Sequence, residues 1–468
     1  GKFRRQRQMC IRDRSTTIAA CLSDLSTGDL LSSASAMNPQ IRFGEDLMSR
    51  VSFAMMNSNG AHEMTKAIRV AINNLLDELV GQVNLSKDNI LELSLVANPV
   101  MHHIFLGIDP SELGGAPFSL AVDSAVSTSA KTFGIDINDG GKIYVLPCIA
   151  GHVGADTSGV VLSEKPFESE QITLLVDIGT NAEIVLGNNE RLLACSSPTG
   201  PAFEGAQISC GQRATAGAIE RVEIDPISLK SRFKVIGSDY WSNDEKFAES
   251  ISSFGVNGIC GSGIIEVIAE MYLQGVLASD GVIDGNLAQH HSSVVADGRT
   301  FSYVLCNLDE ENGDERRIVI TQNDIRQIQL AKAALYAGIK LLMEKMNITS
   351  LDKIKLAGAF GSHISVKHAM ILGLIPDCDL KNVSSIGNAA ETGARIALLN
   401  QTDRKTIEDV VLKIEKIETA TAEKFQEHFV DAMAFPNKVD SFPLLFDFVD
   451  RPAEKVMKKL SRTRGRRN

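Results

Sequence analysis

One succession of elements occurs twice in this chain of 468 residues, and such a repeat restricts it to an α/β fold built from two copies of one unit. Residues 16–25, the Ser26-Thr27-Gly28 turn and residues 29–36 read as an antiparallel meander; residues 180–187, the Gly187-Asn188-Asn189 turn and residues 191–196 read as another. An amphipathic helix over about 61–83, a strand at 90–97, the Asn98-Pro99 break and a short helix at 100–106 follow the first meander. Their counterparts are a helix over about 321–346, a strand at 353–357, a break at 358–361 and a helix from about 365. Each half closes with an apolar strand, a small-residue loop and a helix: 145–150 then 153–162, and 383–386 then 389–399. Identity between the halves is weak, so the repeat lies in the order of elements.

Leu174-Leu175-Val176-Asp177-Ile178-Gly179-Thr180-Asn181-Ala182-Glu183 reads as a buried strand, a tight polar turn and a second strand. Asp177 ends the apolar run and Gly179 lets the backbone turn and approach a ligand. The amides of Gly179, Thr180 and Asn181 then face the same point as the carboxylate. This pattern suits a polyphosphate with Mg2+, Asp177 facing the metal through water while Glu183 or Glu204 orients an attacking water. An ordinary hairpin turn is the alternative, as is a helix-start carboxylate for Glu204. Gly358, Ala359, Phe360 and Gly361 follow a strand and would let an adenosine lie against backbone, or would serve helix–strand packing. Gly261, Ser262 and Gly263 open an apolar helix whose N–H groups could hold an anion; close packing explains them equally. Their order is not the dinucleotide fingerprint, and no Gly-x-x-x-x-Gly-Lys-Ser/Thr loop exists. Asp156 is a weaker candidate at the matching helix start. His102 and His103, about a hundred degrees apart on a helix, suit packing or capping rather than one metal ion.

Two copies of meander, helix, strand, helix, strand, helix describe the duplicated ribonuclease-H-like, actin-like ATPase fold, with two domains and a nucleotide cleft. Asp177 to Glu183, Gly200 to Ala206, Gly211 to Ala214, Gly258 to Gly263, Ile320 to Arg326, Leu356 to Gly361 and Gly387 to Ala390 together resemble the ATP-binding region of the reductive activators of corrinoid proteins. The resemblance covers roughly residues 15–440. It implies ATP-driven transfer of an electron onto the Co(II) state of a methyltransferase's corrinoid protein, restoring Co(I). A small-molecule kinase of the same fold and a non-catalytic nucleotide sensor are the alternatives.

The resemblance also implies an N-terminal ferredoxin-like domain with a two-iron cluster (2Fe-2S), which this sequence does not display. The eight cysteines contain no Cys-x-x-Cys pair and no cluster-ligand spacing, so they read as small thiols of a reducing compartment. Residues 1–14 differ in composition from the rest of the chain and read as a foreign or artefactual leader. Asp13-Arg14-Ser15-Thr16-Thr17 stands where the family pattern is Asp-x-Gly-Thr-Thr, so Thr16 and Thr17 are the candidate phosphate contacts of a first strand and loop cut short, and Ser15 adds a Cβ where glycine is expected. The expected domains are 15–165 and 166–440, with a basic tail at 441–468. A net charge of −11 argues against nucleic acid, no run reaches the length of a membrane span, and no signal peptide opens the chain. A cytoplasmic protein follows, and a homodimer is compatible with the sequence.

Overall fold

The computed structural model describes residues 7–13, 17–309, 315–361 and 363–452. The chain divides into two compact units. One holds residues up to Pro201 with Ala334–Val366 and Cys378–Phe429; the other holds Ala202–Ala333, Lys367–Asp377 and residues from Val430.

The first unit carries two six-stranded sheets of matching design. In one, β1 (Arg7–Asp13), β2 (Thr17–Asp24), β3 (Leu30–Met37), β4 (Ile90–Ala97), β5 (Val126–Ser129) and β6 (Lys142–Val145) lie in the order β3-β2-β1-β4-β6-β5. β1 to β3 are an antiparallel meander, and β4 and β6 run parallel to β1 on its other side. In the other sheet β7 (Thr173–Ile178), β8 (Ala182–Gly187) and β9 (Leu192–Ser197) repeat the meander. Lys353–Ala357 and then Val383–Gly387 add in parallel beyond β7, and Glu415–Lys416 closes the edge beside β9. The duplication read from element order is thus present in strand order.

Parallel neighbours require crossover segments, and the helices supply them. Met64, Ile68, Ile72, Leu75, Leu76 and Leu79 recur at helical spacing along Gly60–Gln82 and are buried. They join Met9, Ile11, Ile18 and Leu22 in one core, while Cys10, Cys21 and Val96, on the opposite face of that sheet, join a second core with residues from the other sheet. Helices Ala155–Glu164 and Ala389–Leu399 pack in that second core at very close range, since a Cβ built on Gly393 would lie 1.9 Å from the Gly159 carbonyl oxygen.

Three local expectations change. Residues 7–13, set apart by composition, form β1 between β2 and β4, with Met9, Cys10 and Ile11 fully buried. The strand expected at 145–150 ends at Val145, because Pro147 has no N–H to give a ladder. The break at 358–361 is a short helical turn.

The second unit carries two three-stranded sheets, ordered Ser231–Val235, Ala218–Ile224, Gly258–Ile259 and Val294–Asp297, Thr300–Asp309, Glu315–Thr321. Helix Gly261–Leu273 covers the first. Its Glu266 accepts from the Val222 amide at 3.0 Å and pairs with Arg221 at 2.6 Å, and His368 meets Glu270 at 3.1 Å. Lys332, fully buried, donates to the carbonyls of Ala434 and Pro436 at 2.5 and 2.7 Å, and burial holds its pKa well below the ordinary lysine value.

Candidate functional site

The site is built on the end of β7. The Thr173–Ile178 side chains are buried because the strand is covered on both faces, and Asp177, 7 % exposed, is the first carboxylate the run allows. Its register partner on β8 is Glu183, and its partner on the parallel strand Lys353–Ala357 is Ala357. Directly opposed residues share a face, so the pairing places Asp177 and Glu183 on one side of the sheet.

Gly358 follows at once on Ala357 and closes the other side. Its φ of +94° is in the region that favours glycine, and a Cβ there would stand 2.6 Å from the Asp177 Oδ1 and 2.8 Å from the Ile178 carbonyl oxygen. The turn Gly358–Gly361 is held from the next strand by Ser385, whose hydroxyl donates to the Gly361 carbonyl. The hairpin and the 358–361 turn, matched only as motifs in the sequence, are therefore in backbone contact. The side chains of Ala359 and Phe360 lie outside what the structure describes.

The hairpin itself departs from expectation. Gly179 has no positive φ, and its amide donates to the Asn181 carbonyl at 3.0 Å, so one of the three expected amides is spent inside the turn. Thr199, which belongs to none of the sequence motifs, is 5 % exposed, and its hydroxyl lies 3.0 Å from the carbonyls of both Gly179 and Thr180. No local pattern announces such a contact, twenty and nineteen residues away in the chain.

The remaining candidates stand on other elements. Thr17 is exposed at the start of β2, and Thr16 lies outside the described residues. Glu204, exposed at the end of a single turn over Pro201–Glu204, belongs to the second unit with Gly261, Ser262 and Gly263. Gly263 has a packing reason: a Cβ there would stand 2.4 Å from the Ile219 carbonyl oxygen. Asp156, half-buried, accepts from the Thr157 amide at 2.9 Å in the first turn of its helix.

The histidine pair is core. His103 Nε2 accepts from the Ala121 amide at 3.0 Å, so Nδ1 carries the proton and donates to the Pro99 carbonyl at 2.9 Å. Burial lowers the pKa of both rings, that of His102 to about 3.

Among the described residues one group of three side chains has the proximity of metal ligands: Cys10, Cys21 and Glu391, with ligand atoms within 4.8 Å of one another. Cys10 and Cys21 are register partners on β1 and β2, with sulfurs 2.7 Å apart. The contact with Cys21, then burial, then the Glu391 charge hold the Cys10 thiol well above its ordinary pKa. A protonated, hydrogen-bonded thiol pair packed in the core accounts for the arrangement.

Comparison with known proteins gives the family. Residues 171–446 match the family described as the C-terminal domain of RACo, the ASKHA domain, and residues 14–165 match the RACo middle region. The corrinoid activation enzyme RamQ of Eubacterium limosum is 33% identical over 430 residues, spanning 91% of this chain and 69% of that protein. The [Co(II) methylated amine-specific corrinoid protein] reductase of Methanosarcina barkeri is 24% identical over 437 residues, spanning 88% and 74%. A solved structure of a reductive activator for a corrinoid, iron–sulfur protein superposes with a TM-score of 0.79 at 32% identity, covering 93% of this chain and 67% of that one. With two sheets of one strand order and a carboxylate-bearing hairpin against a glycine turn, this chain belongs to the RACo family of reductive activators of corrinoid proteins and has its actin-like ATPase fold.

Proposed function

We propose that the chain is the ATPase part of a reductive activator that returns a methyltransferase's corrinoid protein from Co(II) to Co(I). The observation that carries this reading is the convergence of Asp177, Glu183 and Gly358 at the end of β7. Asp177 would hold Mg2+ through water, and the fit rests on two observations: Asp177 and Glu183 are register partners on adjacent strands, and a Cβ on Gly358 would crowd Asp177 Oδ1. The metal, when bound, offsets charge on the phosphates of ATP. Glu183, on the same face, accepts a proton from the water that attacks the terminal phosphate. The turn 358–361 offers backbone to the adenosine, and Thr180 and Asn181 offer amides to the phosphates. Glu204 and the 261–263 helix start take no assigned step in this scheme.

ATP and water give ADP and phosphate, while one electron reduces Co(II) to Co(I). The cysteines of this chain have no cluster-ligand spacing, so a separate low-potential donor would supply that electron. The relatives' names support the corrinoid partner. The test mixes the full chain with a Co(II) corrinoid protein and follows the Co(I) absorption. Co(I) should form with ATP and an external low-potential donor, and should not form with ATP alone. A rate indifferent to ATP would sink the proposal.

A further inference from the structure

Thr199 follows β9 in the segment Pro198-Thr199-Gly200 and is 5 % exposed. Its Oγ1 sits 3.0 Å from two successive carbonyl oxygens, those of Gly179 and Thr180. One hydroxyl has one proton, so it serves both acceptors as a shared donor.

The consequence lies in the peptide plane. In a trans peptide the C=O and the following N–H point in opposite directions. Carbonyls 179 and 180 turned toward Thr199 therefore turn the amides of Thr180 and Asn181 away from it, to one common side. Successive amides aimed at one side make an anion-binding concavity. The Gly179 amide, bound to the Asn181 carbonyl at 3.0 Å, closes the same turn from within.

We propose that Thr199 is a positioning residue of the phosphate site: its hydroxyl sets the two peptide planes whose amides receive the terminal phosphates of a nucleoside triphosphate. The inference rests on the ATP reading of this hairpin and deepens it. Thr199 touches no phosphate itself, and its effect passes entirely through the 179–181 backbone.

The test compares ATP and adenosine, each titrated calorimetrically into the full chain with Mg2+ present. Thr199→Val keeps the shape and removes the donor, and Thr199→Ser keeps the donor. The expected result is a dissociation constant for ATP raised roughly tenfold in Thr199→Val, restored in Thr199→Ser, with adenosine binding unchanged, since two well-aimed charge-assisted hydrogen bonds are misaligned. An unchanged ATP constant in Thr199→Val overturns the inference. Equal weakening of ATP and adenosine also overturns it, because the hydroxyl would then support the fold and not the phosphate geometry. A parent chain that binds no ATP removes the function itself and this role with it.

Discussion

At the scale of single residues, Asp177 and Gly358 form one device. A side chain on Gly358 would stand 2.6 Å from Asp177 Oδ1, so the carboxylate in its present place excludes one there. Gly358→Ala should cost about 1–3 kcal/mol, since it forces an L-residue to φ +94° and drives a Cβ against Asp177 Oδ1. Urea unfolding and ATP titration should both register the change, and a variant with parental stability and affinity would remove Gly358 from the site. His102 makes a second residue-scale prediction. Its folded pKa, pushed down to about 3 by burial, lies below the ordinary value, so the stability it contributes is complete above about pH 6.5 and is lost as pH falls toward 3. The loss should approach 1.4 kcal/mol per pH unit within that window, or about one proton in the slope. His102→Leu should flatten the decline in melting stability between pH 6.5 and 4.5; parallel curves would show that His102 does not titrate on unfolding. The pairing of Asp177 with Glu183 was within reach of the sequence because a tight hairpin centred on Gly179-Thr180-Asn181 fixes which residues oppose each other. Thr199 was not, because a hydroxyl reaching two carbonyls across the sheet leaves no periodic trace. The bond from the Gly179 amide to the Asn181 carbonyl was hidden for a related reason, since it lies within the turn and leaves no pattern of residue types.

At the scale of elements, the repeat was readable where periodicity was long. The helix Gly60–Gln82 and the strands Ile90–Ala97 and Lys353–Ala357 stand within a residue of expectation. The expected strand at 145–150 overran because apolar content continued past Pro147, where the ladder cannot. Residues 7–13 had no reading as an element, since their arginines hid a strand buried on both faces, Met9 and Ile11 on one and Cys10 on the other. What element order could not give is the crossing of Ala155–Glu164 on Ala389–Leu399, which rests on missing side chains: Gly159 faces Ala390 and Gly393. Gly393→Val should destabilise the chain by about 1–3 kcal/mol through overpacking, more if the helices cannot separate. The unfolding midpoint in urea measures it, and an unshifted midpoint would mean that the crossing is loose.

At the scale of the whole molecule, two copies of one strand order place the two large sheets and the helices between them in a single unit, with the candidate hairpin on the second copy. The joint motif pattern was enough to identify the family, and RamQ and the superposed activator carry that identification across nine-tenths of the chain. The second unit, by contrast, was visible only as motifs: its two small sheets pair strands through registers that no repeat predicts, and its Gly263 serves packing. The central claim is that the Asp177 hairpin holds ATP with Mg2+. Calorimetric titration of ATP into the chain, with and without Mg2+, beside Asp177→Asn, tests it most directly. The expected result is one saturable site whose affinity depends on Mg2+, and a variant that stays folded but loses roughly tenfold or more of that Mg2+-dependent affinity, as happens when a charged partner is removed. Identical isotherms for parent and variant, or no saturable heat from the parent, would contradict it.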